Sequence, residues 1–333
     1  MSDEHEAVRD LLAAWAFGAL DPAEEETVLT HLAGCESCAA EGARLRETVR
    51  LLDGPPPTAP AGRNNGALSL APRTRPAVPR VAGHAAPYAA AVAGLRALLP
   101  ELAGHWATPV VHDWDVHATV AHLLAADEPL AGLLGVDARV PPSPVEEGTP
   151  WEDAWNRRTA DVIAHEHGRT PEETVADWGA QADALLGTPE ARDAELAARA
   201  VLLMGMRLPI ADHFLVRAFE TWIHTDDIGR ALGLAVPPPP DEHLGQLVRL
   251  AVRVLGLALG PTAPPVLFSV TGGEEWVLGS GDEPVQAELA LEPVDFCRLV
   301  GGRYAPQTVP RGQNGDAAAV RNVLERAASL SWL

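Results

Sequence analysis

His31, Cys35 and Cys38 read H-x3-C-x2-C, a spacing with its own chemistry. A helix ending near Gly34 and another beginning near Glu36 would put the imidazole in a last turn and the two thiols astride the next first turn. Soft and borderline donors then converge on one turn, as a tetrahedral Zn2+ requires. A structural zinc site is normally closed by a fourth protein ligand, and His5, which opens the preceding helical stretch, is the candidate. The bland alternative is two buried cysteines beside surface histidines; the spacing and the helix break weigh against it. A helical unit of about 50 residues also has a thin core, so a metal clip makes physical sense.

A second set lies in Arg217–Leu232, RAFETWIHTDDIGRAL. Glu220 and His224 are four positions apart, so on a helix both leave one face, framed by Phe219, Ile223 and Ile228. A carboxylate and an imidazole aimed into a helical core are costly unless paired or metal-bound. His122 lies among Val120, Leu123 and Leu124. Alone it reads as a hydrogen-bonded core histidine; facing the other pair, it completes a two-His, one-carboxylate set with open positions for a divalent metal. Asp226 and Asp227 either orient these ligands or are simply exposed. His165 and His167, around Glu166, read as a polar helix end. His213, seven before Glu220, falls on a nearby helix face of the same pocket, and Cys297 reads as a small buried hydrophobe.

The elements that must position these residues are mostly helices. Val8, Leu11, Leu12 and Trp15 form one apolar face. Asp21, Pro22 and Glu24 begin a second helix, with Val28, Leu29 and Leu32 on its apolar side. A third runs from about Glu36 to Asp53, with Leu45, Val49 and Leu52 inward. Gly54–Arg80 carries seven Pro and three Gly and reads as a linker. Helical periodicity resumes near Gly83 and continues to Gly233. Beyond Pro237–Pro240 and one more helix, alternation suggests strands at Val266–Thr271, Glu274–Leu278 and Gln286–Leu291. Gly272-Gly273 supplies a hairpin turn, and Pro293–Gly301 and Asp316–Ser329 return to helix. The expected fold is mainly α. Its expected domains are a zinc-bound unit at 1–53, a proline-rich linker at 54–80, a metal-binding helical bundle at 81–236 and a small α/β domain at 237–333.

Composition narrows the function classes. The chain has 333 residues and a formal net charge of −21, and all 25 of its basic residues are Arg. Such an acidic chain repels phosphate backbones, which argues against direct nucleic-acid binding and favours a basic protein partner. Residues 1–53 hold twelve acidic residues against four Arg, which steers in the same direction or is merely a solvated face. Three Cys are too few for a disulfide framework. MSDEHEAVRD lacks an apolar run, and the longest apolar stretches fall short of a membrane span, so a cytoplasmic protein with no membrane partner is expected.

The H-x3-C-x2-C pattern after a short helical pair, with His5 upstream, resembles the zinc-binding anti-sigma domain over about Glu4–Asp53. That resemblance implies a sigma factor as partner. Redox-sensing members carry Cys where this chain has His5, which rules out a disulfide switch between that position and Cys38. His122 with Glu220-x3-His224 resembles the DinB-like metal-binding bundle, and in particular the mycothiol-dependent maleylpyruvate isomerase family, over about Ala82–Leu333. Trp114, eight residues before His122, and FETWIHTDDIGRALG carry the likeness. His112-Asp113 stands where that family usually has Pro-Gly. The resemblance implies a divalent metal, typically zinc, with a position open to mycothiol or substrate, and Arg303 near the carboxylates of the substrate.

Two functions from different classes follow. The first is a regulator that sequesters a sigma factor through its zinc arm while the isomerase-like region senses a thiol, metal or small molecule. The second is a mycothiol-linked, metal-dependent isomerase or transferase acting on an electrophile, with an accessory zinc domain. A scaffold with two structural metal sites is the bland third. The regulator is favoured, because the zinc pattern is nearly complete and the linker lets the two parts move independently.

Overall fold

The computed structural model describes residues 3–16, 20, 22–52, 80–144, 146 and 148–330. The protein is mainly α and divides into two compact units, Met1–Val78 and Pro79–Leu333. The expected linker, apart from Arg80, and the Asp21 cap lie outside the described residues, as do the side chains of Val49 and Leu52.

The first unit has three helices: α1 (Asp3–Ala16), α2 (Pro22–Gly34) and α3 (Glu36–Leu52). Val8, Leu12, Trp15, Val28 and Cys38 form its core. Leu29, expected inward, is 49% exposed. Val28 and Leu32 are four apart and take the inner face, which turns the residue after Val28 outward by about 100°.

In the second unit α4 (Ala86–Leu98) leads through a 3-10 turn (Leu99–Leu102) to a hairpin of β1 (Pro109–Val111) and β2 (Trp114–Asp115). His112 and Asp113 make the hairpin turn with φ of 53° and 63°. This left-handed pair is the geometry a two-residue hairpin favours, so the turn survives without Pro-Gly. Asp115 then caps α5 (Val116–Leu133) by accepting from the Ala118 amide.

There follow α6 (Trp151–Glu166), α7 (Pro171–Gly187), the single turns α8 (Pro189–Arg192) and α9 (Ala194–Ala197), and the hairpin β3 (Ala200–Leu203)–β4 (Met206–Pro209). The long helix α10 (Ile210–Leu232) packs along α4 and α5 and stops at Gly233, whose φ of 67° gives the left-handed cap. The bundle core, with Tyr88, Trp178, Phe214 and Phe219, is fully buried.

After α11 (Asp241–Leu259) come β5 (Val266–Val270), β6 (Glu275–Leu278), β7 (Ala287–Leu291), α12 (Pro293–Val300), β8 (Gly312–Gly315) and α13 (Ala317–Ala328). The sheet order is β6-β5-β7-β8, with β5 and β7 parallel and the outer pairs antiparallel. Val266, Phe268, Val270, Ala287, Leu289 and Leu291 alternate inward, so one face of the sheet is buried. Cys297 is buried on α12 as expected, and burial pushes its thiol up to about 12. No described helix is long and apolar enough to cross a membrane.

Candidate metal centres

In the first unit the structure brings His5, His31, Cys35 and Cys38 together, with one donor atom from each within 4.8 Å of the others. His5 lies in the first turns of α1, His31 in the last turn of α2, and the cysteines bracket the start of α3. His5 Nδ1 is 3.6 Å from Cys35 Sγ and 3.8 Å from Cys38 Sγ. A tetrahedron with Zn–S of about 2.3 Å and Zn–N of about 2.0 Å has S···N edges of about 3.6 Å, so these spacings fit an enclosed zinc ion. His31 Nε2 is buried and finds no partner among the described residues, as a ligand atom would. Hydrogen bonds from Ser37 and the Cys38 backbone lower the Cys35 thiol to about 6, towards the thiolate that binds metal.

In the second unit His122 on α5 meets Glu220 and His224 on α10, again with donor atoms within 4.8 Å. All three are buried. His122 Nε2 lies 3.0 Å from Glu220 Oε1. Burial alone would raise the Glu220 carboxyl, but Arg217 and His122 outweigh it and hold it low, as an anion. Arg217 Nη1 is 2.5 Å from Glu220 Oε2, yet that oxygen accepts no hydrogen bond among the described residues. The contact is an ion pair by distance and misaligned as a hydrogen bond.

His224 faces Asp227 Oδ2 through Nδ1 at 3.3 Å, and its buried Nε2 has no partner among the described residues. Burial, the largest influence, lowers this imidazole to about 4, so it is neutral and able to ligate. A histidine held by a carboxylate at one nitrogen and free at the other is the usual posture of a metal ligand. Two imidazoles and a carboxylate also leave coordination positions open.

Arg303, expected near a substrate's carboxylates, holds the carboxylate of Asp227 and places Nη2 3.4 Å from His224 Nδ1. It donates to both oxygens of Asp227 and to the Gly301 carbonyl, and it is absent from the residues lining the neighbouring cleft. Arg298 does the same for Asp226, at 2.9 and 3.1 Å. Both aspartates therefore tie α10 to the segment around α12.

A cleft of about 620 Å3 reaches the second centre at His122 and Trp114. Trp114 packs against His122 at a tilt of 31°, with ring centroids 4.5 Å apart. His112 stands in the same lining and packs edge-on to Trp114. Sequence reasoning gave no role to Arg217 or Thr159, and both line this cleft with His213. All three are buried, and Thr159 Oγ1 and His213 Nε2 have no partner among the described residues. Arg217 was detectable as the residue one helical turn before Glu220; nothing local marked Thr159.

Residues 6–39 match the family model described as "Putative zinc-finger", and residues 85–229 match that of the mycothiol maleylpyruvate isomerase N-terminal domain. The larger unit contains an isomerase-type N-terminal domain. The match to this domain spans His122, Glu220 and His224 and ends before Arg303.

Two Mycobacterium tuberculosis proteins, from strains CDC 1551 / Oshkosh and H37Rv and both named uncharacterized, are each 30% identical to the chain over 160 residues. These matches take in 45% of this chain and 58% of each relative, so the chain spans little over half the length of the curated relatives it matches. Among solved structures, a mycothiol-dependent maleylpyruvate isomerase aligns over 70% of this chain and 93% of its own, at 14% identity and a TM-score of 0.49. A histidine-to-alanine mutant of that isomerase aligns over 69% and 91%, at 13% identity and the same score.

Proposed function

We propose that the protein is a cytoplasmic zinc-binding regulator of the anti-sigma type, whose isomerase-type domain serves as a metal-dependent sensor of a small molecule. The observation that carries this reading is the closed set of four donors, His5, His31, Cys35 and Cys38, drawn from all three helices of a unit with a very small core. Zinc there would fix the helices relative to one another and so shape an acidic surface for a basic region of a sigma factor. The exposed Leu29 on α2 supplies an apolar contact on that surface.

In the sensor, His122, Glu220 and His224 would hold the divalent ion, with zinc the element that two imidazoles and a carboxylate suit. When bound, such an ion lowers the pKa of a thiol or water ligand or polarises a carbonyl. Arg217, His213 and Thr159 line the cleft beside that centre, and Trp114 and Trp155 pack against His122.

The test is transcription from a sigma-dependent promoter with purified chain. Inhibition that is lost in Cys38→Ser supports the regulator; transcription unchanged by zinc-loaded wild type contradicts it. The cleft, which opens onto a three-donor centre, favours a second reading: mycothiol-linked isomerisation or thiol transfer. That reading predicts turnover with mycothiol and maleylpyruvate or a related electrophile, abolished in His122→Ala.

A further inference from the structure

Asp127 is a buried carboxyl outside the second donor set. It lies on α5, five residues after His122, and accepts a hydrogen bond from Tyr88 of α4 at 2.6 Å. Arg217 of α10 is buried beside this segment. Its guanidinium donates to the carbonyl of Ala126 and stands 2.5 Å from Glu220 Oε2. Burial is the strongest influence on Asp127 and opposes its anion, as does the charge of Glu220; the charge of Arg217 and the Tyr88 hydrogen bond favour it. Charged groups on the neighbouring helices are engaged elsewhere. Arg158 of α6 pairs with Glu128, and Arg96 of α4 pairs with Asp183 of α7.

One buried cation therefore stands between two buried carboxyls. Arg217 and the Glu220 anion match each other's charge, and burial leaves Asp127 protonated up to about pH 7. A divalent ion held by His122, Glu220 and His224 would add two positive charges at Glu220 and cancel the opposition of that carboxylate to the Asp127 anion. The positive charge then left over in a low-dielectric interior favours ionised Asp127.

We propose that Asp127, acting through Arg217, couples metal occupancy of the second centre to pH: its carboxyl gives up a proton as the ion binds, and the ion is released more readily when the proton returns. Only the O–H bond breaks; its electron pair stays on the carboxylate and the proton passes to the solvent. The sign follows from linkage. An ion that favours the anion binds more tightly as pH rises, until the carboxyl is ionised without it. Second-site affinity therefore climbs up to about pH 7 and levels off above it. The inference rests on the reading of this domain as a metal-dependent sensor and gives that sensor a second input.

The test uses the full chain and zinc. Competition against a chromophoric chelator between about pH 5 and about pH 8 gives the second-site affinity, with the His224→Ala chain correcting for the first unit. Calorimetry in two buffers of different ionisation enthalpy counts the protons released per zinc. At about pH 6 wild type should release about one proton more than Asp127→Asn, and its affinity should climb up to about tenfold more steeply per pH unit. Protons lost from the ligands themselves are common to both chains and cancel. Tyr88→Phe removes the hydrogen bond that favours the anion, so it should move the bend in the affinity profile to higher pH with the helical signal unchanged. That variant also carries the test if Asp127→Asn folds poorly. Equal proton counts and parallel profiles in wild type and Asp127→Asn overturn the inference and leave metal binding in place, as does a bend that Tyr88→Phe does not move. A second centre that takes up no zinc contradicts the sensor reading and this inference together.

Discussion

Asp227 faces Nδ1 of His224 at 3.3 Å, and Arg303 clamps the same carboxylate. Burial would raise this carboxyl, but the His224 and Arg303 hydrogen bonds overcome that and bring it down to about 2. The imidazole is thereby fixed in orientation, with Nε2 left as its free donor atom.

Asp227→Asn should therefore weaken second-site metal binding by about 10–100-fold, the usual effect of removing a carboxylate behind a ligating histidine. Competition against a chromophoric chelator measures it. Affinity equal to wild type would mean that the Asp227–His224 contact does not orient a ligand.

The first unit should depend on its metal for folding. Its apolar core rests on a few side chains, Val8, Leu12, Trp15 and Val28 among them, with Cys38 itself part of it. A chelator strong enough to strip zinc, or Cys38→Ser, should cost a share of the far-UV helical signal corresponding to α1–α3 and leave the cooperative unfolding of the larger unit in place. An unchanged spectrum after complete zinc removal would show that packing alone holds these helices.

Asp127 gives a pH dependence with a defined sign. It is buried and accepts from the Tyr88 hydroxyl at 2.6 Å, and burial lifts it to about 7 against an ordinary 3.8. The folded chain thus keeps a proton that the unfolded chain releases. This contribution is present at and below pH 4 and is lost as pH rises from about 4 to about 7. In denaturant titrations Asp127→Asn should flatten the fall in stability over that window by on the order of 2–4 kcal/mol. An identical slope in the variant would place the titration elsewhere.

Both clusters were legible because each carries a local signature. H-x3-C-x2-C and Glu220-x3-His224 are set by helical geometry within a few residues, so spacing alone places their side chains together. His5 and His122 were legible only as complements, since the sequence cannot show that donors 26 and 98 positions away close the sets. Strands β5, β6 and β7 and both C-terminal helices follow their alternation and caps to within one or two residues. β8, GQNG, is exposed throughout and has no alternation to betray it; its pairing with β7 makes it a strand. Leu29 misled because hydrophobicity does not say which of two adjacent positions faces a core. The clamps of Arg303 on Asp227 and Arg298 on Asp226 span more than 70 positions and depend on tertiary packing, so the role of either Arg was beyond local pattern.

If the two donor sets, one in each unit, each hold a divalent ion, the metal content of the chain must follow them. Metal counting by mass spectrometry on purified wild type, His31→Ala and His224→Ala tests this most directly. Two equivalents in wild type, falling to one in each variant, is the result expected. One equivalent or none in wild type, or two retained in either variant, would contradict it.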